Sequence, residues 1–280
     1  MTGARAVLPA GMRERALALA AGELTPAPVR DAATVALVRD APGGHEVYLL
    51  RRVRGMAFAG GMHVFPGGSV DPADAGADDL GWAGPPPSAW AQDLRCEEGL
   101  ARALVCAAVR ETFEESGVLL AGPSAQEVLE DVSTDEWEAE RTALEAREQS
   151  LSELLGRRRL VLRADLLRPL AHWITPEVEP KRFDTRFFVA RMPAGQVCRE
   201  VGTEADRRLW VRPADALAAA RCDDLTLMPP TLAALEDLAA HADVEASLAA
   251  PRTLRAVLPR AVVDDDGEVR LVDLVVGEQD

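Results

Sequence analysis

Arg110-Glu111-Thr112-Phe113-Glu114-Glu115-Ser116-Gly117-Val118 is the stretch on which the reading of this chain turns. As a helix at 100° per residue, it places Glu111, Glu114 and Glu115 within about a 100° arc of one face. Like charges three and four residues apart repel, by about 0.2–0.5 kcal/mol per pair. Glu114 and Glu115 also fall in the last turn before Gly117, a helix-stop residue, where the helix dipole disfavours anions. Val105, Cys106, Val109 and Phe113 lie on the opposite side and give the helix a face to bury. The bland alternative is a solvated acidic face. The conflict with the dipole, the glycine stop and the neighbouring Arg110 point instead to carboxylates gathered under something positive, because sequences break local rules chiefly where function requires it.

The rest of the composition narrows the choice. A chain of 280 residues can bury a substantial core. Its 48% hydrophobic and 28% charged residues are those of a globular protein. The formal charge of −15 argues against a nucleic-acid backbone or an anionic membrane as partner. An acidic protein that handles phosphates needs cations between itself and its substrate. The four cysteines, Cys96, Cys106, Cys198 and Cys222, show neither a CxxC pair nor metal spacing, which is the pattern of reduced cytoplasmic thiols. Arg5, Arg13, Glu14 and Arg15 interrupt the first 22 residues, so no signal peptide is expected. No stretch approaches the roughly 18 apolar residues of a membrane span.

Upstream of the acidic helix, Met12–Ala21 reads as a short helix and Ala33–Val38 as a strand. The turn residues Ala41-Pro42-Gly43-Gly44 join that strand to a hairpin partner over Glu46–Arg52. Then comes Gly60-Gly61-Met62-His63-Val64-Phe65-Pro66-Gly67-Gly68, where the glycines suit a close backbone approach to a ligand. His63 is read either as a structural histidine or as a ligand or phosphate contact.

The double glycine followed by the Arg-Glu helix resembles the signature of the Nudix hydrolases: Gly, five residues, Glu, seven residues, then Arg-Glu-U-x-Glu-Glu-x-Gly-U, with U aliphatic or similar. Gly68 takes the first place and Asp74 the first acidic one. Arg110, Glu111, Glu114, Glu115, Gly117 and Val118 match the second half, with Thr112 at the first U. Two departures stand out: an aspartate for the first glutamate, and 35 residues, Ala75 to Val109, in place of seven. A motif split in this way is similar to the branch of the family that includes the peroxisomal coenzyme A diphosphatase. Leu49-Leu50-Arg51-Arg52, Phe65-Pro66-Gly67-Gly68, His172-Trp173-Ile174-Thr175-Pro176, Arg182–Phe188 and Leu227-Met228-Pro229-Pro230 extend the resemblance over about residues 33–240. Of the coenzyme A motif of shorter members, Arg52, Gly61 and Phe65–Gly68 are in place. Ala57 stands where an Arg belongs, and Val53 where a small Ser or Ala is usual. The chain ends Gly277-Glu278-Gln279-Asp280, which is no peroxisomal tripeptide, so the cytoplasm is the expected compartment.

The resemblance implies an α/β fold, an α/β/α sandwich with a mixed sheet, here with helical insertions. It sets expected boundaries: an N-terminal extension over 1–32, a hydrolase domain over 33–240, and a C-terminal extension over 241–280. Within the domain, an insertion at about 75–97 begins as loop and turns helical near Glu97, with Trp82 and Trp90 as anchors or pocket walls. One or two amphipathic helices are added at about 124–156, as simple packing, a homodimer contact or a lid. Farther on, strands are expected at His172–Ile174, Arg186–Ala190 and Leu209–Val211, and helices over Pro213–Ala220 and Pro230–Leu248. Ala261–Val263 and Val269–Val272 read as a hairpin around Asp264-Asp265-Asp266-Gly267.

For the chemistry, the resemblance implies Mg²⁺ or Mn²⁺ on Glu111, Glu114 and Glu115, with Glu111 a ligand or the general base. It gives Arg110 the task of orienting the glutamates. A further acid before a strand, best Glu204 and next Glu200, matches where the family often keeps an extra metal-binding or basic glutamate. Arg52, Gly67 and Gly68 are the expected substrate contacts of the glycine loop. Lys181, Arg182 and Arg186 are read as phosphate contacts, because an arginine fork matches phosphate oxygens. The expected reaction is attack of water on a small-molecule substrate, a nucleoside diphosphate joined to another group, with coenzyme A or an acyl derivative first. Pyrophosphatase action on dinucleotides or nucleotide sugars, and a catalytically silent nucleotide sensor, are the alternatives.

Overall fold

The structure, a computed structural model, describes residues 10–55, 59–76, 80–200, 202, 204–264 and 268–276. Ala57, the turn residues Asp265-Asp266-Gly267 and the ending Gly277–Asp280 lie outside the described residues. The chain divides into two compact units, each made of separate stretches. The larger comprises 32–171 and 186–254; the smaller comprises the described parts of 1–31, 172–185 and 255–280.

In chain order come helix α1 (Ala10–Ala20), the hairpin of β1 (Val29–Ala41) and β2 (Gly44–Arg52), and short strands β3 (His63–Val64) and β4 (Gly67–Ser69). Helix α2 (Pro72–Ala75), strand β5 (Trp82–Ala83) and helix α3 (Pro87–Leu94) lead into the long helix α4 (Glu98–Ser116). Next are β6 (Ala121–Gly122), α5 (Asp135–Glu145), α6 (Leu151–Arg158), β7 (Val161–Arg163), β8 (Leu167–Ile174) and β9 (Arg182–Arg191). The chain then runs through β10 (Ala205–Val211), α7 (Pro213–Arg221), α8 (Pro229–Ala239), α9 (Val244–Ala249), β11 (Ala256–Val263) and β12 (Val269–Val275).

In the larger unit the strand order is β10-β2-β1-β9-β8, with β3 beside β2 and β4 beside β1. β1 and β2 pair antiparallel in the register Val38↔Val47 and Ala41↔Gly44. Gly43, at φ +79°, takes the left-handed place that the turn after Pro42 requires. Both faces of this hairpin are covered. Ala33, Val35, Leu37, Tyr48 and Leu50 join one core with Val105, Val109 and Phe113 of α4. Ala36, Val38, Val47 and Leu49 point the other way and are equally buried, and α7 packs on β2. A small second sheet, β5-β7-β6, pairs Trp82 with Leu162 in parallel and Ala121 with Leu162 antiparallel.

The insertion is more ordered than a loop. Pro87 opens α3, where a proline with its fixed φ is accommodated at the first helical position. Trp90 and Leu94 are buried, and the Trp90 ring meets Phe188 at 5.8 Å, so this tryptophan is an anchor. The single helix expected over Pro230–Leu248 is instead two, because Asp243 accepts the Ala246 N–H at 2.8 Å and caps a new helix there.

In the smaller unit β11 pairs parallel with β8 at His172 and Trp173, and antiparallel with β12 from Val257↔Val275 to Val263↔Val269. Ala16 of α1, Val178 and Val269 form its core. Among the described residues no helix is long and apolar enough to cross a membrane.

Candidate active site

Helix α4 is buried through its middle, from Ala103 to Val109, chiefly by alanine, leucine and valine, and its last two turns carry the acids. Gly117 ends it at φ +72°, donating its N–H to the Phe113 carbonyl at 2.9 Å. A Cβ there would also lie 2.8 Å from Nε of Arg199. The helix is thereby stopped with Glu111, Glu114 and Glu115 facing the loop that carries β4.

Arg110 organises the approach. Its Nε and Nη2 donate to the two carboxylate oxygens of Asp74, at 3.0 and 2.9 Å, and Nη2 also donates to the Ser69 carbonyl. Nη1 turns the other way, to Glu111 at 2.8 Å and Glu114 at 3.2 Å. Asp74 is itself fixed by a capping box: it accepts the Asp71 N–H at 2.8 Å, while Asp71 caps α2. The first acid of the split motif is thus buried against the arginine across the whole insertion.

The double glycine meets the acids directly. Gly67 donates its N–H to Glu115 at 2.9 Å. Gly68 lets Glu111 come close, since a Cβ there would stand 2.5 Å from Oε1 of Glu111. A Cβ on Gly67 would likewise strike the Ala33 carbonyl at 2.6 Å. Glycine is needed here for space.

Electrostatically the three glutamates are short of positive charge. Burial raises all three above the ordinary carboxylate range. Arg110 opposes the rise at Glu111 and Glu114, while Glu111 adds to it at Glu115. Arg52 and Glu204 also act on Glu115, with opposite signs, and they pair with each other at 3.0 Å. Arg52 and Glu204 therefore border the same site, with Glu204 more exposed than Arg52.

Among the described residues, no three His, Cys, Asp or Glu side chains converge into a ready-made metal cage. Arg110 lies between Glu111 and Glu114, and Glu115 is turned to the Gly67 amide. Mg²⁺ commonly keeps several waters and takes only one or two protein carboxylates, so the donor set fits such an ion without a cage. The glycine cradle and the under-neutralised acids favour that fit.

The other predicted residues have surroundings of their own. Lys181 is exposed, with its ammonium 5.3 Å from the Phe183 ring centre, and belongs to the smaller unit. Arg182, in the same unit, is buried and donates to the carbonyls of Thr175 and Ala27, a structural use of its fork. Arg186 is buried on β9 in the larger unit. His63 is buried, and its Nδ1 lies 3.4 Å from the Thr226 carbonyl. Burial pushes the Cys106 and Cys198 thiols up to about 12, which leaves them poor nucleophiles. A groove lined by Glu136, Glu140, Gln149, Arg157 and Arg158 contains none of the site's acids. One residue escaped the sequence reading: Arg141 of α5 reaches the Glu114 carbonyl at 2.9 Å.

Residues 91–238, over half of the chain, match the family described as the NUDT19 Nudix domain. This chain belongs to the Nudix family. A solved Nudix hydrolase from Alicyclobacillus acidocaldarius is similar at 30% identity and a TM-score of 0.70, over 81% of this chain and 98% of that one. The expected α/β Nudix fold is the observed one. Among curated proteins, the acyl-coenzyme A diphosphatase NUDT19 of Gallus gallus is 27% identical over 72% of this chain. The protein of the same name from Xenopus laevis is 25% identical over 71%. This Nudix chain spans 65% and 61% of the lengths of those two relatives.

Proposed function

We propose that this chain hydrolyses the phosphoanhydride bond of a nucleoside diphosphate joined to another group, with coenzyme A or acyl-coenzyme A as the first substrate to consider. The observation that carries the reading is the contact of the acidic turn with the glycine loop, Gly67 N–H to Glu115 and Gly68 against Glu111. The name of the two curated relatives supports the choice of coenzyme A.

Glu114 and Glu115 would hold Mg²⁺ or Mn²⁺, with Glu111 as a third ligand or as the base. When bound, such a cation offsets the charge of a diphosphate and lowers the pKa of an attacking water. Glu111, raised by burial, is suited to accept that water's proton near neutral pH. Arg110 keeps Glu111 and Glu114 apart from Asp74 and in register with the loop. Arg52 and Glu204, which pair with each other and act on Glu115 through their charges, would contact substrate or complete the site. Arg186 is kept as a candidate phosphate contact, and a homodimer through α5 and α6 belongs to the same reading. All four cysteines are free thiols, which supports a cytoplasmic location.

The test is to incubate the purified chain with Mg²⁺ or Mn²⁺ and coenzyme A, and to look for adenosine 3′,5′-bisphosphate. Its release is the expected result. Activity confined to dinucleotides or nucleotide sugars would overturn the substrate, and inactivity across all three classes would overturn the enzyme.

A further inference from the structure

The last turn of any helix leaves carbonyls without partners inside the helix. At the end of α4 three of these carbonyls have found partners from outside or beyond the turn. The Phe113 carbonyl takes the Gly117 N–H, the Ser116 carbonyl takes the Arg199 N–H at 2.9 Å, and the Glu114 carbonyl takes Nη1 of Arg141 at 2.9 Å. The third of these is unusual, because Arg141 comes from the added helix α5 and its side chain is only 4% exposed.

The guanidinium is fully engaged. Nε and Nη2 grip Glu138, and Nη1 bridges Glu145 at 2.8 Å and the Glu114 carbonyl. Glu138 and Glu145, the former shared with Arg199, offset its charge, so it acts on α4 through geometry and not through net charge. Nor is it required to glue the helices together. The Trp137 ring of α5 stands edge-on to Phe113 at 6.3 Å, and Leu144 of α5 is buried in the same core. Buried ion networks are poor stabilisers compared with apolar packing of the same volume. What Arg141 adds is a fixed hold on the backbone of Glu114.

We infer that Arg141 is a positioning residue for the acidic turn: by pinning the Glu114 carbonyl it sets the directions in which Glu114 and Glu115 leave the helix. The added helix α5 then serves the site as well as the core. Glu114 is held at both ends, with its backbone on Arg141 and its carboxylate on Arg110. This inference rests on the functional reading above, since the turn it positions is the proposed cation site.

The experiment titrates the whole chain with Mn²⁺ alone, followed by electron paramagnetic resonance, and records a thermal melt for every variant. Arg141→Met should weaken Mn²⁺ binding roughly tenfold, the lower end of what loss of a partner behind a metal ligand does. In the hydrolysis assay it should lower kcat while leaving KM unchanged. Arg141→Lys keeps the charge but replaces the planar fork by a single compact nitrogen that cannot reproduce its geometry on Glu138, Glu145 and the Glu114 carbonyl, so it should behave alike, and it carries the test if the methionine variant fails to fold. Leu154→Ala, in the buried face of α6, should lower the melting temperature and leave Mn²⁺ affinity alone. Binding by the Arg141 variants within about twofold of the unmodified chain, or an equal loss in Leu154→Ala, would overturn the inference and leave the functional reading standing. No Mn²⁺ binding by the unmodified chain would overturn both.

Discussion

Helices α4 and α5 both crowd glutamates, and they treat them in opposite ways. On α5, a side-chain hydrogen bond from Arg141 holds Glu138 below the usual carboxylate range. Burial alone would raise Glu140, but hydrogen bonds from Gln149 and Arg158 and the charge of Arg157 outweigh it, and its value falls too. On α4, burial outweighs Arg110 at Glu111 and Glu114 and Arg52 at Glu115, and all three glutamates rise. A carboxylate supplied with its own arginines is finished structure. One buried with too few is a place for a cation from outside, and that difference marks the site better than acidity does.

The largest effect should come from removing the α4 side of this contrast. Glu115→Gln is expected to reduce kcat/KM by at least about a hundredfold, beyond what loss of an outer partner typically does. A variant that kept full activity would end the distinction between the two helices.

A second effect is on stability. Glu111 and Glu115 are raised from 4.5 to about 7 and about 8, so over that window the folded, metal-free chain binds more protons than the unfolded one. Stability therefore falls as pH rises from the ordinary glutamate value through the raised ones. Melting curves of metal-free protein should drop toward alkaline pH, and Mg²⁺ or Mn²⁺ should restore more at the high end than at the low end. A melting temperature that climbed through this window would contradict the shortage of charge on α4.

The smallest effect belongs to α5. Glu140 pairs with Arg157 and Arg158 near the surface. Glu140→Gln should leave hydrolysis unchanged and cost less than about 1 kcal/mol in denaturant unfolding.

Local features were legible in the sequence. The helix stop at Gly117, the hairpin over Pro42-Gly43 and the shared face of Glu111, Glu114 and Glu115 all follow from short-range rules. What stayed hidden was long-range. Nothing between Asp74 and Arg110 announces that these residues, 36 apart, bind each other. Arg141 had a weak local signal, with Glu138 and Glu145 at helical spacing on either side, but no rule of spacing points its fork at a carbonyl 27 residues earlier. Arg182 shows the same limit: its fork matches phosphate oxygens, and tertiary contacts turn that fork to the carbonyls of Thr175 and Ala27.

The Asp74–Arg110 clasp has a further consequence. It closes a ring of chain at its base, so whatever lies between can lengthen or shorten while the two residues still meet. Growth from seven residues to 35 adds only about 1.4 kcal/mol of closure entropy, and the buried Trp90 and Leu94 return apolar contact against it. The ring is thus a tolerant port, a position at which new binding surface can be grafted beside the acids without moving them.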